Sequence, residues 1–456
     1  MSLLAGAARR EISPRQPMYL TGYPKFERTS TGIHDPLLAS ALYLADGATA
    51  LLFVAVDILM LAHETVQRCR VDIQQVTGVP AGNILISASH THSGPVTVDL
   101  LAFRHDAVVS PADPLYVDWL CQQICQAALE AQQRAVPARA AFTRAMVEGV
   151  GGNRHRPDGP RDPEVGLLYL QDAARQQPLA LSVVYSMHPT VLHEDSKLVS
   201  ADFPGYTRQY LAERLAGAPV IYHNGPCGNL SPRYHVRAQT FAEAERLGCR
   251  LGEAIDQALG DLSPAAFRDD LSLSAVQGWV ELPPRAFPPV AEAERLLQQA
   301  QADYERLKAN SAPRAEVRTA EVTIFGAEER VHLAQAQQSG VVTALQERYT
   351  PVEVQALRVG ETCFIGLPGE LFVEYALEIK RRSPRPALVI SLANGELQGY
   401  IVTPGAEGYE AAFSLFTPTP GGSWLKRRSN LSTGYDRNQT FRVFLNPKRL
   451  FSQQEG

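Results

Sequence analysis

The sequence predicts an α/β fold, a single large domain in which a mixed, twisted β-sheet forms the core and helices flank it. Apolar segments rich in β-branched residues alternate along the chain with amphipathic helical segments, which is typical of this class. No internal repeat or long linker divides the 456 residues. Hydrophobic residues make up 45% of the chain and charged residues 20%, which is ordinary for a globular protein with a sizeable core.

The charge and the cysteines limit the classes of partner and the compartment. The 43 Lys and Arg residues and 48 Asp and Glu residues give a formal net charge of −5, which offers no electrostatic case for nucleic acid or an anionic membrane. The longest apolar stretch, residues 48–62, contains Asp57 and is too short to span a bilayer, and the N-terminus lacks the apolar core of a signal peptide. We therefore expect a cytoplasmic protein with no transmembrane segment and with reduced cysteines. The oligomeric state stays open.

Strands and helices are predicted in alternation. The predicted strands cover residues 41–46, 48–59, 81–89, 179–189 and 219–225, the predicted helices cover residues 63–78, 115–133, 204–217, 242–259 and 289–309, a strand and a helix follow between 354 and 382, and a Pro/Gly-rich closing loop lies near 417–423. Asp46-Gly47 favours a tight hairpin turn between the first two strands, and Gly78 ends the first helix. The helix at 289–309 is charged and lies between proline-marked turns, which indicates a solvated surface excursion over about residues 284–315.

Two histidines stand one residue apart where the strand at 81–89 ends, in the segment ISASHTHSGP. If this segment is extended, His90 and His92 point to the same side and face one small volume. Two imidazoles at a strand end suggest a metal ligand with a neighbouring acid, base or hydrogen-bond donor. The alternative, an exposed turn with two unrelated histidines, stays open at this point.

Three further side chains are candidate partners, because a catalytic zinc usually keeps three or four protein ligands. His188 ends the apolar run at 179–189, where a packed core histidine is the alternative. Glu370 follows a strand and a Pro-Gly turn and is predicted to start a helix. The alternative to a metal ligand there is a carboxylate that is stabilised by the helix dipole. Tyr400 follows a glycine-containing turn, where a strand aromatic is the alternative.

Two glycine-rich loops add polar groups. The segment GVGGNRHRP contains Arg154, whose guanidinium is suited to bind an oxyanion or a carboxylate. The segment HNGPCGNLSP contains Ser231 next to backbone that Gly225 and Gly228 allow to approach closely. Each of these features alone is weak evidence for a function, whereas their combination is specific for one kind of site.

The set resembles the neutral/alkaline non-lysosomal ceramidases, a family of zinc-dependent amidases. The resemblance runs in order over nearly the whole chain, through AARREISP, LTGYP, TGIHDPLLASALYLAD, ISASHTHSGP, GGNRHRP, DPEVGLLYL, MHPTVL, SADFPGY, GPCGNLSP, LPGELFVEY, GYIVTP and YEAAFSLF. HTHSGP is the most diagnostic of these segments. The resemblance implies one ceramidase-like catalytic domain over residues 1–456.

The resemblance also implies roles for particular residues. The family's four zinc ligands fall on His90, His188, Glu370 and Tyr400. Its substrate-contacting or proton-handling groups fall on His92, Arg154 and Tyr409. The serine once assigned as nucleophile in the family's GDVSP-like loop matches Ser231. The implied cofactor is Zn²⁺.

The chain departs from the family pattern in several places. The family's THTHSGP is SHTHSGP here, its Gly-Asp before the serine loop is Gly228-Asn229, and the loop between Tyr400 and Tyr409 is shorter. His193 is not part of the family pattern. The immunoglobulin-like C-terminal domain and the secretion signal of the ceramidases are not recognised, so the resemblance is to the short bacterial branch.

The implied activity is hydrolysis of the amide bond of a small-molecule N-acyl compound through a metal-activated water. The alternative is that the same zinc site catalyses amide formation, acyl transfer or lactam cyclisation in a biosynthetic pathway. A third interpretation is a non-catalytic zinc-binding protein. Ser231 ranks below a water as nucleophile, because the sequence places no base beside it.

Overall fold

A computed structural model describes residues 2–418 of the chain, and within them we number eighteen strands and nine helices. The strands are β1 Leu4–Glu11, β2 Gly32–Ile33, β3 Leu38–Ala45, β4 Ala50–Val56, β5 Ile84–Ala88, β6 Val136–Met146, β7 Gly152–Asn153, β8 Glu164–Asp172, β9 Pro178–Tyr185, β10 Leu198–Val199, β11 Val220–Asn224, β12 Leu230–Ser231, β13 Leu273–Val280, β14 Val352–Val359, β15 Thr362–Gly366, β16 Glu370–Leu371, β17 Ala387–Ile390 and β18 Tyr400–Ile401. The helices are α1 His63–Thr77, α2 Pro114–Gln133, α3 Asp202–Arg214, α4 Phe241–Gly260, α5 Val290–Ala309, α6 Arg314–Gln338, α7 Val341–Tyr349, α8 Val373–Arg382 and α9 Tyr409–Phe413.

The main sheet has eight strands in the order β11-β9-β8-β6-β1-β3-β4-β5. Its outermost pairs, β11 with β9 and β4 with β5, are parallel, and the pairs between them are antiparallel. The sheet is therefore mixed, and the predicted α/β fold class is confirmed. A second sheet has the order β13-β14-β15-β17.

Both faces of the main sheet are buried, and alternate residues of one strand serve different layers. Along β3, Ala39 and Ala41 pack toward α1 and α2, whereas Leu42 and Leu44 pack toward the second sheet. Strand β9 alternates in the same way, with α3 and α4 on its helical side. The layers are thus helices, main sheet and second sheet.

The two edge strands of the main sheet are linked by the segment 391–394, which follows β17. The Ser391 amide donates to the Asn224 carbonyl at the end of β11 (2.9 Å). The Asn394 amide donates to the Ile86 carbonyl in β5 (2.7 Å). The ends of β5 and β11 therefore lie near one another. Strands β9 and β15 end in the same region.

The structure confirms the predicted hairpin and helix ends where the sequence contains clear turn or capping residues. Strands β3 and β4 form the predicted hairpin, and the Asp46 carboxylate accepts hydrogen bonds from two backbone amides of the turn. Helix α1 ends at Gly78, whose φ of 73° is left-handed, as a glycine cap allows. Helix α2 begins after Asp113, whose side chain accepts from the Leu115 amide.

Helix α5 has Ala293 as its buried residue, and its other residues are exposed or half-buried. The sequence analysis did not predict α6 and α7, which continue the helical region to Tyr349. Helix α6 packs against α5 and against α9. The predicted closing loop lies, from residue 419 on, outside the described residues. None of the helices between residues 2 and 418 has both the length and the apolarity that crossing a membrane requires.

Candidate metal centre and active site

His90 lies at the bottom of the site and is fixed by two backbone contacts. Its amide donates to the Ile58 carbonyl (2.9 Å), and its Nδ1 lies 2.8 Å from the Leu59 carbonyl. Strand β5 ends at Ala88, and His90 has a left-handed φ of 71°. The predicted extended conformation of this segment is therefore wrong. The turn nevertheless brings the rings of His90 and His92 together, with centroids 5.0 Å apart.

His188 approaches from the neighbouring end of the sheet, three residues after β9. Its Nδ1 lies 2.8 Å from the Cys227 carbonyl, and its Nε2 lies 3.0 Å from the Nε2 of His90. Both rings are buried, with 1% of each residue exposed. Burial and the nearby Arg154 guanidinium lower the pKa of His188 to about 4, so the ring is neutral at physiological pH.

Glu370 completes this cluster from the other side. Its Oε2 lies 3.3 Å from the Nε2 of both His90 and His188. The predicted position at a helix start is wrong, because Glu370 belongs to β16 and α8 begins at Val373. Burial alone would raise the pKa of the Glu370 carboxyl, but the two imidazoles hold it well below its usual range.

The donor set fits a metal ion. A backbone carbonyl only accepts hydrogen bonds, so each Nδ1 carries a proton, and the neutral ring of His188 presents a lone pair at Nε2. The two Nε2 atoms and a carboxylate oxygen therefore converge on one point. Neutral imidazole nitrogens held by Nδ1–carbonyl contacts, together with a carboxylate, are typical ligands of zinc.

Tyr400 stands beside this cluster because β16 and β18 pair in parallel with Glu370 opposite Tyr400. Burial, the Glu370 carboxylate and Tyr409 raise the pKa of the Tyr400 phenol well above its usual range, and the Arg154 guanidinium opposes them. The Arg154 guanidinium lies over the ring of Tyr400, 5.4 Å from its centroid. The phenol is therefore neutral here, and a cation within reach of its oxygen would favour the phenolate.

The ring of His92 lies next to this cluster, but no described residue holds it by a hydrogen bond. One ring nitrogen from each of His90, His92 and His188 lies within 4.8 Å of the other two. Within residues 2–418 neither ring nitrogen of His92 has a hydrogen-bond partner. Burial, followed by the neighbouring imidazoles, lowers the pKa of His92 well below its usual value. The ring is neutral, and the described residues leave both of its nitrogens without a hydrogen bond.

Packing holds His92 in place. A Cβ at Gly22, whose φ is 106°, would lie 2.4 Å from Nδ1 of His92, so the ring rests directly on this glycine. Arg28 is fully buried and donates to the His92 carbonyl (2.8 Å). Tyr23 contacts the His92 ring on one side, with centroids 5.2 Å apart, and stacks with His193 on the other at the same distance. His193, which the family pattern did not include, therefore lies in the outer wall of the site.

Arg154 directly follows β7, which forms a short antiparallel pair with β12. Its Nε donates to Glu410 Oε1 (2.7 Å), and its guanidinium lies 5.2 Å from the ring centroid of Tyr409. His155 also contacts Glu410 Oε1, through Nε2 at 3.0 Å. Among the described residues Nη2 of Arg154 has no hydrogen-bond partner, although it is buried. One nitrogen of this guanidinium is thus available to another molecule.

Tyr409 is at the start of α9, where α6 covers it. The ring of Phe325 lies 6.1 Å from that of Tyr409, and a Cβ on Gly326 would lie 3.4 Å from the Tyr409 Cβ. Burial raises the pKa of the Tyr409 phenol, and Arg154 opposes this effect. Helix α6 therefore forms one wall of the site.

Ser231 lies in β12, opposite Gly152 of β7, and is 6% exposed. Its Oγ accepts a hydrogen bond from the Arg233 amide (3.1 Å), which is a local turn contact. No imidazole or carboxylate is described at hydrogen-bond distance from this oxygen within residues 2–418. The geometry thus gives Ser231 the environment of a structural turn residue.

Sequence analysis did not single out several residues that support the site. Glu410, Gly22 and Arg28 are three of them, and the segments YEAAFSLF and LTGYP already contained the first two. Asp202, from the segment SADFPGY, is another. Its carboxylate accepts from the amides of Val191 and Leu192, and burial raises its pKa to about 7. It therefore holds the loop that follows His188.

The fold and site define an α/β protein with a buried cluster of two histidines and a carboxylate, and comparisons identify its relatives. The sequence model described as "Neutral/alkaline non-lysosomal ceramidase, N-terminal" matches residues 4–221. The neutral ceramidase of Pseudomonas aeruginosa is 23% identical over 275 residues, which are 53% of this chain and 41% of that protein. Neutral ceramidase A of Dictyostelium discoideum is 24% identical over 225 residues, 45% of this chain and 31% of that protein.

A solved structure shares the fold. The crystal structure of the Pseudomonas aeruginosa neutral ceramidase superposes with a TM-score of 0.70 at 18% sequence identity, covering 98% of this chain and 74% of that chain. Over residues 4–221 the chain is similar to the neutral/alkaline non-lysosomal ceramidase family, and over nearly its whole length it shares the fold of a neutral ceramidase. In sequence it spans less than half the length of the curated relatives described above.

Proposed function

We propose that the protein is a zinc-dependent amidohydrolase that cleaves the linear amide bond of an N-acyl compound. The single observation that carries the proposal is the convergence of His90, His188 and Glu370. Their lone-pair atoms face one point at separations of 3.0 and 3.3 Å. The family supports the reaction class, because the relatives are named as ceramidases.

His90, His188, Glu370 and Tyr400 would hold the zinc ion. When bound there, zinc would supply Lewis-acid chemistry, polarising an amide carbonyl and making a water acidic enough to attack it at neutral pH. The register of Glu370 opposite Tyr400 supports the tyrosine as fourth ligand. The Nδ1 contacts with the carbonyls of Leu59 and Cys227 would fix the orientation of both imidazoles.

His92 would move the proton in this reaction. Its neutral ring can accept a proton from the attacking water and return it to the nitrogen of the leaving amine. Its freedom from other hydrogen bonds within the described chain supports this role, since neither nitrogen must first be released. The contact with Gly22 would keep the ring from turning away.

Arg154 and Tyr409 would hold the substrate's carbonyl oxygen or another polar group. The buried Nη2 of Arg154 is a charged donor that the described residues leave unused. Glu410 would keep the guanidinium in position through its contact with Nε. Ser231 would not act as nucleophile, because its described contact is a backbone turn bond rather than a general base.

The substrate is proposed as a small N-acyl amide of ceramide-like chemistry, and the chain as one catalytic unit over residues 1–456. The six cysteines form no disulfide, which supports a reducing, cytoplasmic location. Amide formation at the same site is the alternative. No described contact favours it over hydrolysis.

The test is a substrate screen with zinc-loaded protein. N-acyl amino acids, N-acyl amines and short-chain ceramides are incubated separately, and the released acid and amine are quantified by mass spectrometry. We expect hydrolysis of at least one class, and its loss in His92→Ala at unchanged zinc content. Condensation of a free acid and amine without any hydrolysis would replace the proposal with amide formation. No turnover in either direction at full zinc occupancy would contradict an enzymatic function on these classes.

A further inference from the structure

A pair of cysteines lies between α1 and α2, away from the candidate metal centre. Cys69 of α1 and Cys121 of α2 are 0% and 4% exposed. Their thiol groups interact across the packed helices, and each is the largest influence on the pKa of the other. No other pair of the six cysteines, all of which are described, is joined in this way.

The two sulfurs are not equivalent, because Arg68 contacts one of them. Its Nη2 donates to Sγ of Cys121 (2.8 Å), and its Nη1 donates to Oδ1 of Asp118 (2.7 Å). The Cys69 thiol and the Arg68 guanidinium lower the pKa of Cys121 against the effect of burial. The neighbouring Cys121 thiol and burial raise the pKa of Cys69. Cys121 is therefore the more acidic thiol of the pair and the one that forms the thiolate more readily.

Cys121 is close to solvent although little of it is exposed. The side chains of Arg68 and Asp118 that cover it are 45% and 55% exposed. Exposed ion pairs contribute little stability and exchange readily with water, so a small neutral oxidant can reach the sulfur beneath them. Burial raises the pKa of the other cysteines that show a shift, Cys125, Cys227, Cys249 and Cys363. Selective reaction at Cys121 is expected because the thiolate is the nucleophile.

We propose that Cys121 and Cys69 form a peroxide-responsive pair that closes to a disulfide between α1 and α2. In the first step the Cys121 thiolate attacks one oxygen of hydrogen peroxide. The S–O bond forms, the O–O bond breaks, and the leaving hydroxide takes a proton to become water. In the second step the sulfur of Cys69 attacks the sulfur of Cys121. The S–S bond forms, the S–O bond breaks, and the second oxygen leaves as water with the thiol proton. Two thiols and one peroxide thus give one disulfide and two waters.

The usual alternative for buried cysteines is inertness, in which all six would serve as small apolar residues. Two features oppose that interpretation. A guanidinium nitrogen at 2.8 Å is an unusual neighbour for a packing thiol, and a second thiol, Cys69, interacts with the same sulfur. Cys125, one helical turn after Cys121, provides a matched control. It lies in the same helix and is 9% exposed, but it contacts neither Arg68 nor Cys69 in any described hydrogen bond.

The experiment treats the full-length, zinc-loaded protein with a small excess of hydrogen peroxide and maps the cysteines by peptide mass spectrometry. We expect loss of two of the six thiols, a Cys69–Cys121 disulfide, and full recovery of the thiols with dithiothreitol. Cys125→Ser should behave like the wild type. In Cys69→Ser the first step should proceed without the second, so dimedone should label Cys121. Cys69→Ala serves the same purpose if the buried serine impairs folding.

Two further variants separate the role of Arg68 from general accessibility. Arg68→Met should slow disulfide formation at least about tenfold, because the thiolate loses its charged donor. Arg68→Lys should react closer to the wild-type rate. Retention of six thiols, first oxidation of Cys249 or Cys363, or an unchanged rate in Arg68→Met would each overturn the proposal. None of these readouts depends on amidase activity, so the result is independent of the proposed function.

Discussion

The Nε2 atoms of His90 and His188 face each other at 3.0 Å, while the Nδ1 of each ring is committed to a backbone carbonyl. Two ring nitrogens this close, on rings that already contact a carbonyl through Nδ1, are positioned to share a cation. The carboxylate of Glu370 at 3.3 Å from both nitrogens adds negative charge to the same point. The fold thus holds three potential metal-donor atoms close together, which is expected of a metal site.

Glu370→Gln should weaken zinc binding at least about tenfold without unfolding the protein, since even an outer partner of a ligand typically contributes that much. The amide keeps the size of the side chain and removes its charge. Affinity is measured by competition with a chromophoric chelator, and folding by circular dichroism. Glu378→Gln, on the exposed side of α8, is the control and should bind zinc as the wild type does. Unchanged affinity in Glu370→Gln would show that Glu370 is not a ligand.

His92→Ala should retain zinc and lose kcat by roughly 10²–10⁴-fold, the usual contribution of a positioned proton-transfer group. Ser231→Ala should keep measurable activity, because the described contact of its Oγ is with the Arg233 amide. Both variants are assayed at matched zinc content on the amide that the substrate screen returns. Near-normal kcat in His92→Ala, with complete loss and a trapped acyl adduct that depends on Ser231, would replace the proposed mechanism with a covalent one.

Gly22→Ala should lower kcat while zinc content stays unchanged. A methyl group there would lie 2.4 Å from the His92 ring and must displace it. Gly78→Ala is the matched control, because Gly78 also has a positive φ but has nothing within 4 Å of its Cβ position. Both variants carry backbone strain of about 1–2 kcal/mol. A Gly78→Ala protein that loses as much kcat as Gly22→Ala would attribute the effect to strain rather than to His92.

Glu410→Ala should lower the free energy of unfolding by roughly 3 kcal/mol, because it leaves the buried Arg154 guanidinium without its anion. The side chains of this pair are 6% and 1% exposed. Glu378→Ala removes a partner of the exposed Arg381 and should lower the free energy of unfolding much less. Urea denaturation monitored by fluorescence compares the two variants. Equal losses would mean that Glu410 does not compensate Arg154 in the folded protein.

The sequence was sufficient where the deciding interactions are local. The hairpin at Asp46 and the end of α1 at Gly78 follow from turn and cap chemistry within a few residues. The clustering of His90 with His188 was anticipated because both follow apolar strands. The family resemblance, rather than periodicity, supplied Glu370 and Tyr409.

The sequence was insufficient where pairing is distant in the chain or a turn is irregular. Glu370 was misplaced at a helix start because β16 is two residues long and exists through its pairing with β18. The left-handed backbone at His90 depends on the Ile58 carbonyl, which no local pattern encodes. Glu410 was missed because its function depends on Arg154, which another part of the chain delivers.

Metal analysis of the purified protein tests the central claim most directly. Inductively coupled plasma mass spectrometry should find about one zinc per chain, with two histidines and a carboxylate as a typical catalytic donor set. His90→Ala and His188→Ala should each lose that zinc while remaining folded by circular dichroism, and His332→Ala, whose ring packs on His105, should retain it. Full zinc occupancy in His90→Ala or His188→Ala, or a wild-type protein that binds no zinc when supplied with it, would contradict the assignment of this cluster as the metal centre.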